Sequence, residues 1–118
     1  MLGFTEKPLR LRRQRTEGWS KPLGSICCTR PGLLGNIFTK EDAERAGYAD
    51  TQVGAVEMHR LWLDGVKYQD VEPERRLKVI ERLSKIGGRH LLCFCHGSQP
   101  CHVDTLLERA NPPKTLPT

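Results

Sequence analysis

The run Leu91-Leu92-Cys93-Phe94-Cys95 is apolar at every position. A strand with one face in water alternates apolar and polar side chains, so a run without alternation is predicted to be a central strand covered on both faces. Strands of that kind belong to parallel sheets, which need helices as crossovers. The expected architecture is therefore an α/β layered fold: a short, mostly parallel sheet flanked by three to four helices. With 118 residues there is room for a single domain.

The remaining elements are read around that strand. Leu9 and Leu11 alternate with Arg10 and Arg12, as in an edge strand, and Ile26-Cys27-Cys28 reads as a buried strand before the Arg30-Pro31-Gly32 break. Thr39 followed by Asp42 makes a capping-box start for a short helix. From Val53 to Val66, Ala55, Met58, Leu61, Trp62 and Val66 recur at helical spacing; Leu77, Ile80 and Leu83 do so after Pro73. Gly87-Gly88 stops the second of these helices. A last helix starts near His102, with Val103, Leu106, Leu107 and Ala110 on one face and Pro112-Pro113 as its end. Residues 25–111 form the expected α/β core, residues 1–24 a basic arm that can join the sheet, and residues 112–118 a mobile tail.

Charge is unevenly placed. The chain carries +5, and Lys7, Arg10, Arg12, Arg13, Arg15 and Lys21 against Glu6 and Glu17 put +4 of it in residues 1–24. A basic arm of this kind attracts phosphate-bearing partners through a salt-sensitive field, and Trp19 can stack on a base. A nucleotide or nucleic acid is the expected partner class, with a solvated arm as the alternative. No apolar run approaches the roughly 20 residues of a membrane span, and the N-terminus lacks the apolar stretch of a secretory signal. A cytoplasmic protein without a membrane partner is expected.

Five cysteines are an odd number, and Cys93, Cys95 and Cys101 crowd beside His96 and His102, which reads as reduced thiols with a task. Cys93 and Cys95 are two apart, so strand alternation directs them to one face while Leu92 and Phe94 fill the other. Cys101, His102 and Asp104 then open a helix beyond the strand's carboxyl end, the usual ligand crevice of α/β sheets. Four readings of the cluster stand. Cys101 or Cys95 is a catalytic thiolate with His102 or His96 as proton carrier and Asp104 as orienting carboxylate. Alternatively Cys93, Cys95, Cys101 and His102 hold zinc, the adjacency of Cys101 and His102 making joint ligation awkward. The third is noncovalent anion binding at the helix N-terminus, and the fourth is plain core packing of small thiols. Cys27 and Cys28 face opposite sides of their strand and are assigned to packing.

Arg30 leaves a strand end ahead of Gly32, Gly35 and Asn36. Its guanidinium can reach the same crevice and grip phosphate, glycines let a ligand approach the backbone closely, and Asn36 offers a donor and an acceptor. The alternative is a tight loop held by its own polar groups.

The R-x-R-T-x-G-W-x-x-P stretch with Arg13, Arg15, Gly18, Trp19 and Pro22, then Arg30-Pro31, Gly35-Asn36 with Phe38, and Cys93-Phe94-Cys95 followed by Cys101-His102, Asp104 and Leu107 resemble the domain of unknown function family numbered 4326, of phages and bacteria. The resemblance covers nearly the whole chain. It departs in the middle block, where the family reads W-G-N-P-F and this chain has Leu34 and Ile37. The end block is also similar to a family numbered 488. The resemblance implies which residues matter and leaves the reaction open. Taken with the residues, the expectation is a pocket of Arg30, Asn36, Cys93, Cys95, Cys101, His102 and Asp104 that binds or acts on a nucleotide or nucleic-acid-derived anion, with Arg13, Arg15 and Trp19 extending its surface. As an enzyme it would be a transferase or hydrolase with a cysteine nucleophile; the other expectation is a noncatalytic zinc-stabilised module that binds nucleic acid or a protein.

Overall fold

The computed structural model describes residues 8–95 and 98–112. Residues 1–7 of the basic arm, His96 and the tail beyond Pro112 lie outside them. The elements run β1 (Arg10–Arg12), β2 (Ile26–Cys27), α1 (Lys40–Arg45), α2 (Thr51–Leu63), α3 (Pro73–Leu83), β3 (Leu91–Cys93) and α4 (His102–Ala110). The sheet is parallel with order β1-β3-β2. The chain's last strand is thus its middle one, and Leu91 and Leu92 are fully buried. The α/β class and the central place of the apolar run are as expected. No helix among the described residues is long and apolar enough to cross a membrane.

Local chemistry sets the helix ends. Thr39 caps α1: its hydroxyl accepts from the Asp42 N–H, and the Asp42 carboxylate accepts from the Thr39 N–H in return. Asp50 caps α2 through the N–H groups of Gln52 and Val53. The helix expected to reach Val66 stops at Leu63, because Gly65 turns into the left-handed region at φ +77 and leaves Val66 in water. Trp62 is sealed in the core, its indole N–H donating to the Val71 carbonyl at 2.7 Å and its ring meeting Phe38 edge-on. Burial of a side chain of this size stabilises by about 3 kcal/mol.

Two expectations about faces are corrected. In α3, Leu77 is 63% exposed and Ile80 40% exposed, while Val79 and Leu83 are buried. The reason is Arg76, whose Nε donates to the Trp62 and Leu63 carbonyls at the end of α2 and so turns the 76/79/83 row inward. The apolar run after His90 pairs as a strand only through Cys93. Phe94 therefore leaves the alternation and lies half-buried under the guanidinium groups of Arg13 and Arg15, 5.2 and 4.1 Å from its centroid, instead of filling the opposite layer.

Candidate functional site

Because all three strands run the same way, the segments that follow them emerge along one edge: Arg13 after β1, Cys28 to Arg30 after β2, and Phe94-Cys95 after β3. The Arg13 N–H donates to the Cys93 carbonyl and the Cys28 N–H to the Leu92 carbonyl, which holds these segments together just past the sheet. Cys101 occupies the N-cap position of α4 at this edge, without a side-chain capping bond.

Here the sulfurs of Cys93, Cys95 and Cys101 all lie within 4.8 Å of one another. Cys93 and Cys101 are 2% and 1% exposed, whereas Cys95 is half-buried. The Cys101 S–H directed at Cys93 favours a thiolate there. Against the opposing effect of burial, and with help from the Cys95 N–H and the Arg10 guanidinium, it draws the Cys93 thiol down to about 6. Cys101 moves far upward, since its proton is held by Cys93 and burial disfavours its charge. Strand alternation is not what unites Cys93 and Cys95, because Cys95 lies beyond the strand, where the backbone bends at Phe94 and Cys95.

Cys95 also opens on a cavity of about 320 Å³ bordered by Arg30, Thr39, Lys40, Gln52 and His102. Sulfur, imidazole and guanidinium thus share one cavity. Much of this polar wall is tied to the chain itself. Arg30 Nε donates to the Asn36 carbonyl at 2.5 Å and its Nη2 to the Phe38 carbonyl at 2.8 Å. Buried Asn36 accepts from the Phe38 N–H and donates to the Ala55 carbonyl, spending both ends of its amide on backbone. His102 Nε2 donates to the Leu34 carbonyl at 2.9 Å, and its Nδ1 stands 3.8 Å from Cys101 Sγ. Burial pushes the imidazole down to about 4 against the pull of the Leu34 and Cys28 carbonyls, so it is neutral at pH 7. Gly35 meets backbone instead of an outside ligand: a Cβ there would lie 2.8 Å from the Arg30 nitrogen.

Other expected site residues are placed elsewhere. The Asp104 carboxylate is 56% exposed and pairs with Arg10 at 3.0 Å, while the His102 ring nitrogens face Leu34 and Cys101. Arg13, Arg15 and Trp19 border a separate cavity of about 340 Å³ with Lys21 and Cys27, and Arg13 bridges to Thr29 at 3.1 Å. Cys28 is a fully buried thiol, pushed up to about 12 chiefly by desolvation. Two cavity residues, Lys40 and Gln52, carry no motif in the sequence, and Thr39 is marked there only as a helix cap. Gln52 donates to the Pro100 carbonyl at 2.7 Å, which ties α2 to the turn before Cys101. His59, which had no partner in the sequence, packs edge-on against His102 at 5.3 Å.

The family described as Domain of unknown function (DUF4326) matches residues 11–112. No curated protein and no solved structure matches the chain.

Proposed function

We propose, from the premise that this chain belongs to the family described as Domain of unknown function (DUF4326), that the cavity at the carboxyl edge of the sheet binds the phosphate-bearing part of a nucleotide, free or at the end of a nucleic-acid strand. The observation that carries this reading is the meeting of two cations, Arg30 and Lys40, with the Gln52 amide and Cys95 on one cavity. Its volume of about 320 Å³ suits a small ligand. Arginine and lysine favour phosphate by charge, and Thr39 and Glu41 on the same border offer partners for sugar hydroxyls. The neighbouring surface of Arg13, Arg15, Trp19 and Phe94 extends it with guanidinium groups and ring faces on which a base can stack.

Noncovalent binding accords with the geometry better than nucleophilic turnover. Cys101 is sealed, with its thiol pushed upward by Cys93 and by burial, His102 is neutral and held by Leu34, and Asp104 serves Arg10. Five free thiols accord with a reducing, cytoplasmic setting.

The test is calorimetric titration of the full chain with nucleoside monophosphates, nucleoside triphosphates and short oligonucleotides. Saturable binding by one of them, weakened about tenfold or more by Lys40→Glu, is expected, corresponding to about 1.4 kcal/mol. Lys40 is exposed at the start of α1, so its reversal leaves the core untouched. Heats no larger than dilution throughout the series, or affinity indifferent to Lys40→Glu, would overturn the reading.

A further inference from the structure

We infer that Cys93, Cys95 and Cys101 form a three-thiolate site for a soft divalent cation of the zinc class, with the fourth coordination position directed at the cavity beside Cys95. The inference stands on the sulfur geometry alone and does not need the cavity to bind a nucleotide.

A tetrahedral zinc ion with Zn–S bonds of about 2.3 Å sets its sulfurs about 3.8 Å apart. The three sulfurs already lie within 4.8 Å of one another. The difference of about 1 Å at most is of the size that side-chain rotation covers. The ligands also come from two directions: Cys93 and Cys95 from the end of β3, and Cys101 from the N-cap of α4. A metal there would staple the central strand to the last helix.

Packing alone explains the trio poorly, because a buried strand end needs only apolar volume and alanine or valine would supply it. A disulfide accounts for it no better, since it would join two of the sulfurs and strand the third. His102 is not a fitting fourth ligand. Its Nδ1 stands 3.8 Å from Cys101 Sγ, but neither ring nitrogen lies within 4.8 Å of all three sulfurs as they do of one another. The fourth position is left to a water molecule or to a group entering the cavity, the open arrangement that distinguishes reactive metal centres from purely structural ones. Three thiolates around a divalent ion leave one net negative charge, and the Arg10 guanidinium, itself paired with Asp104, lies near enough to Cys93 to offset it. Metal competes with protons for the coordinating sulfurs, so occupancy falls as the solution is acidified.

The test uses the full chain, reduced, stripped with a chelator and titrated with cobalt(II). The expected result is one cobalt per chain, with a thiolate-to-cobalt charge-transfer band and visible bands of tetrahedral intensity, both abolished by added zinc. Cys95→Ser should weaken cobalt binding about tenfold or more, whereas Cys27→Ser, which alters a thiol outside the trio, should leave the spectrum unchanged. Cys95 is half-buried, so its serine variant is expected to keep the far-ultraviolet dichroism of the parent even where Cys101→Ser does not fold. Absence of the charge-transfer band, or a cobalt affinity that Cys95→Ser leaves unchanged, overturns the site. Neither readout involves a nucleotide, so failure here is separable from failure of the cavity reading.

Discussion

His59 and His102 meet edge to face at 5.3 Å in the interior, one from the middle of α2 and the other from the first turn of α4. Both are pushed down, His59 to about 3 and His102 to about 4, chiefly because burial disfavours a charged ring and, for His59, because His102 lies beside it. The unfolded chain restores both to near 6.5. A folded-state value below the unfolded one means that the unfolded chain binds the extra proton, so stability is full above about 6.5 and declines as pH falls toward 3. At pH 5 the loss from His59 is about 2 kcal/mol. Urea unfolding midpoints at pH 7.5 and pH 5 check this, and His59→Phe should flatten the dependence.

Gly35→Ala should destabilise by about 1 to 3 kcal/mol. The added Cβ would press on the backbone of Arg30 and Thr29, at 2.8 and 2.9 Å, and neither atom can swing aside as a side chain would. Thermal melts report the cost. An alanine variant as stable as the parent would mean that the loop is less tightly seated than described.

Asn36→Leu should cost about 2 kcal/mol, because it leaves the buried Phe38 N–H without its acceptor and removes the bond from the Asn36 amide to the Ala55 carbonyl of α2. The same variant should loosen Arg30, which grips the Asn36 and Phe38 carbonyls of that loop. Chemical denaturation gives the first quantity, and hydrogen exchange at Phe38 gives the second.

For the basic arm, reversal of Arg12, Arg13 and Arg15 to glutamate should weaken oligonucleotide binding steeply and flatten its salt dependence. Each lost phosphate contact removes about 0.7 to 0.9 from the logarithmic slope. Arg13 and Arg15 also cover Phe94, so Phe94→Ala serves as a companion variant that removes the ring and keeps the charges. Affinity and slope that ignore all three reversals would exclude the arm from nucleic-acid contact.

How far the sequence reveals this molecule depends on the reach of each signal. The Thr39–Asp42 box and the last helix from His102 were readable because their determinants lie within a turn of one another. The central strand was readable because unbroken apolarity leaves it no solvent face. Leu77 and Ile80 misled because periodicity shows that a helix has an apolar stripe but does not say which row a distant partner will claim. Arg76 settles that by reaching carbonyls 13 and 14 residues away. The gathering of Arg30, Asn36, Cys95 and His102 was anticipated from strand ends, whereas the place of Thr39, Lys40 and Gln52 on the same cavity was not, since local signals such as a helix cap do not say which distant residues packing will bring alongside. The polar loop residues had two readings in the sequence, ligand contact or self-support, and their hydrogen bonds run to the chain's own backbone.

The placement of β3 between β1 and β2 orders events on the ribosome. Both outer strands are made first, yet each pairs only with a partner that emerges some sixty to eighty residues later. Until Leu91 to Cys93 leave the exit tunnel, the nascent chain holds helices and two unmatched ribbons. Its thiol trio is completed only when Cys101 follows, so the sulfur cluster comes into being after every strand of the sheet.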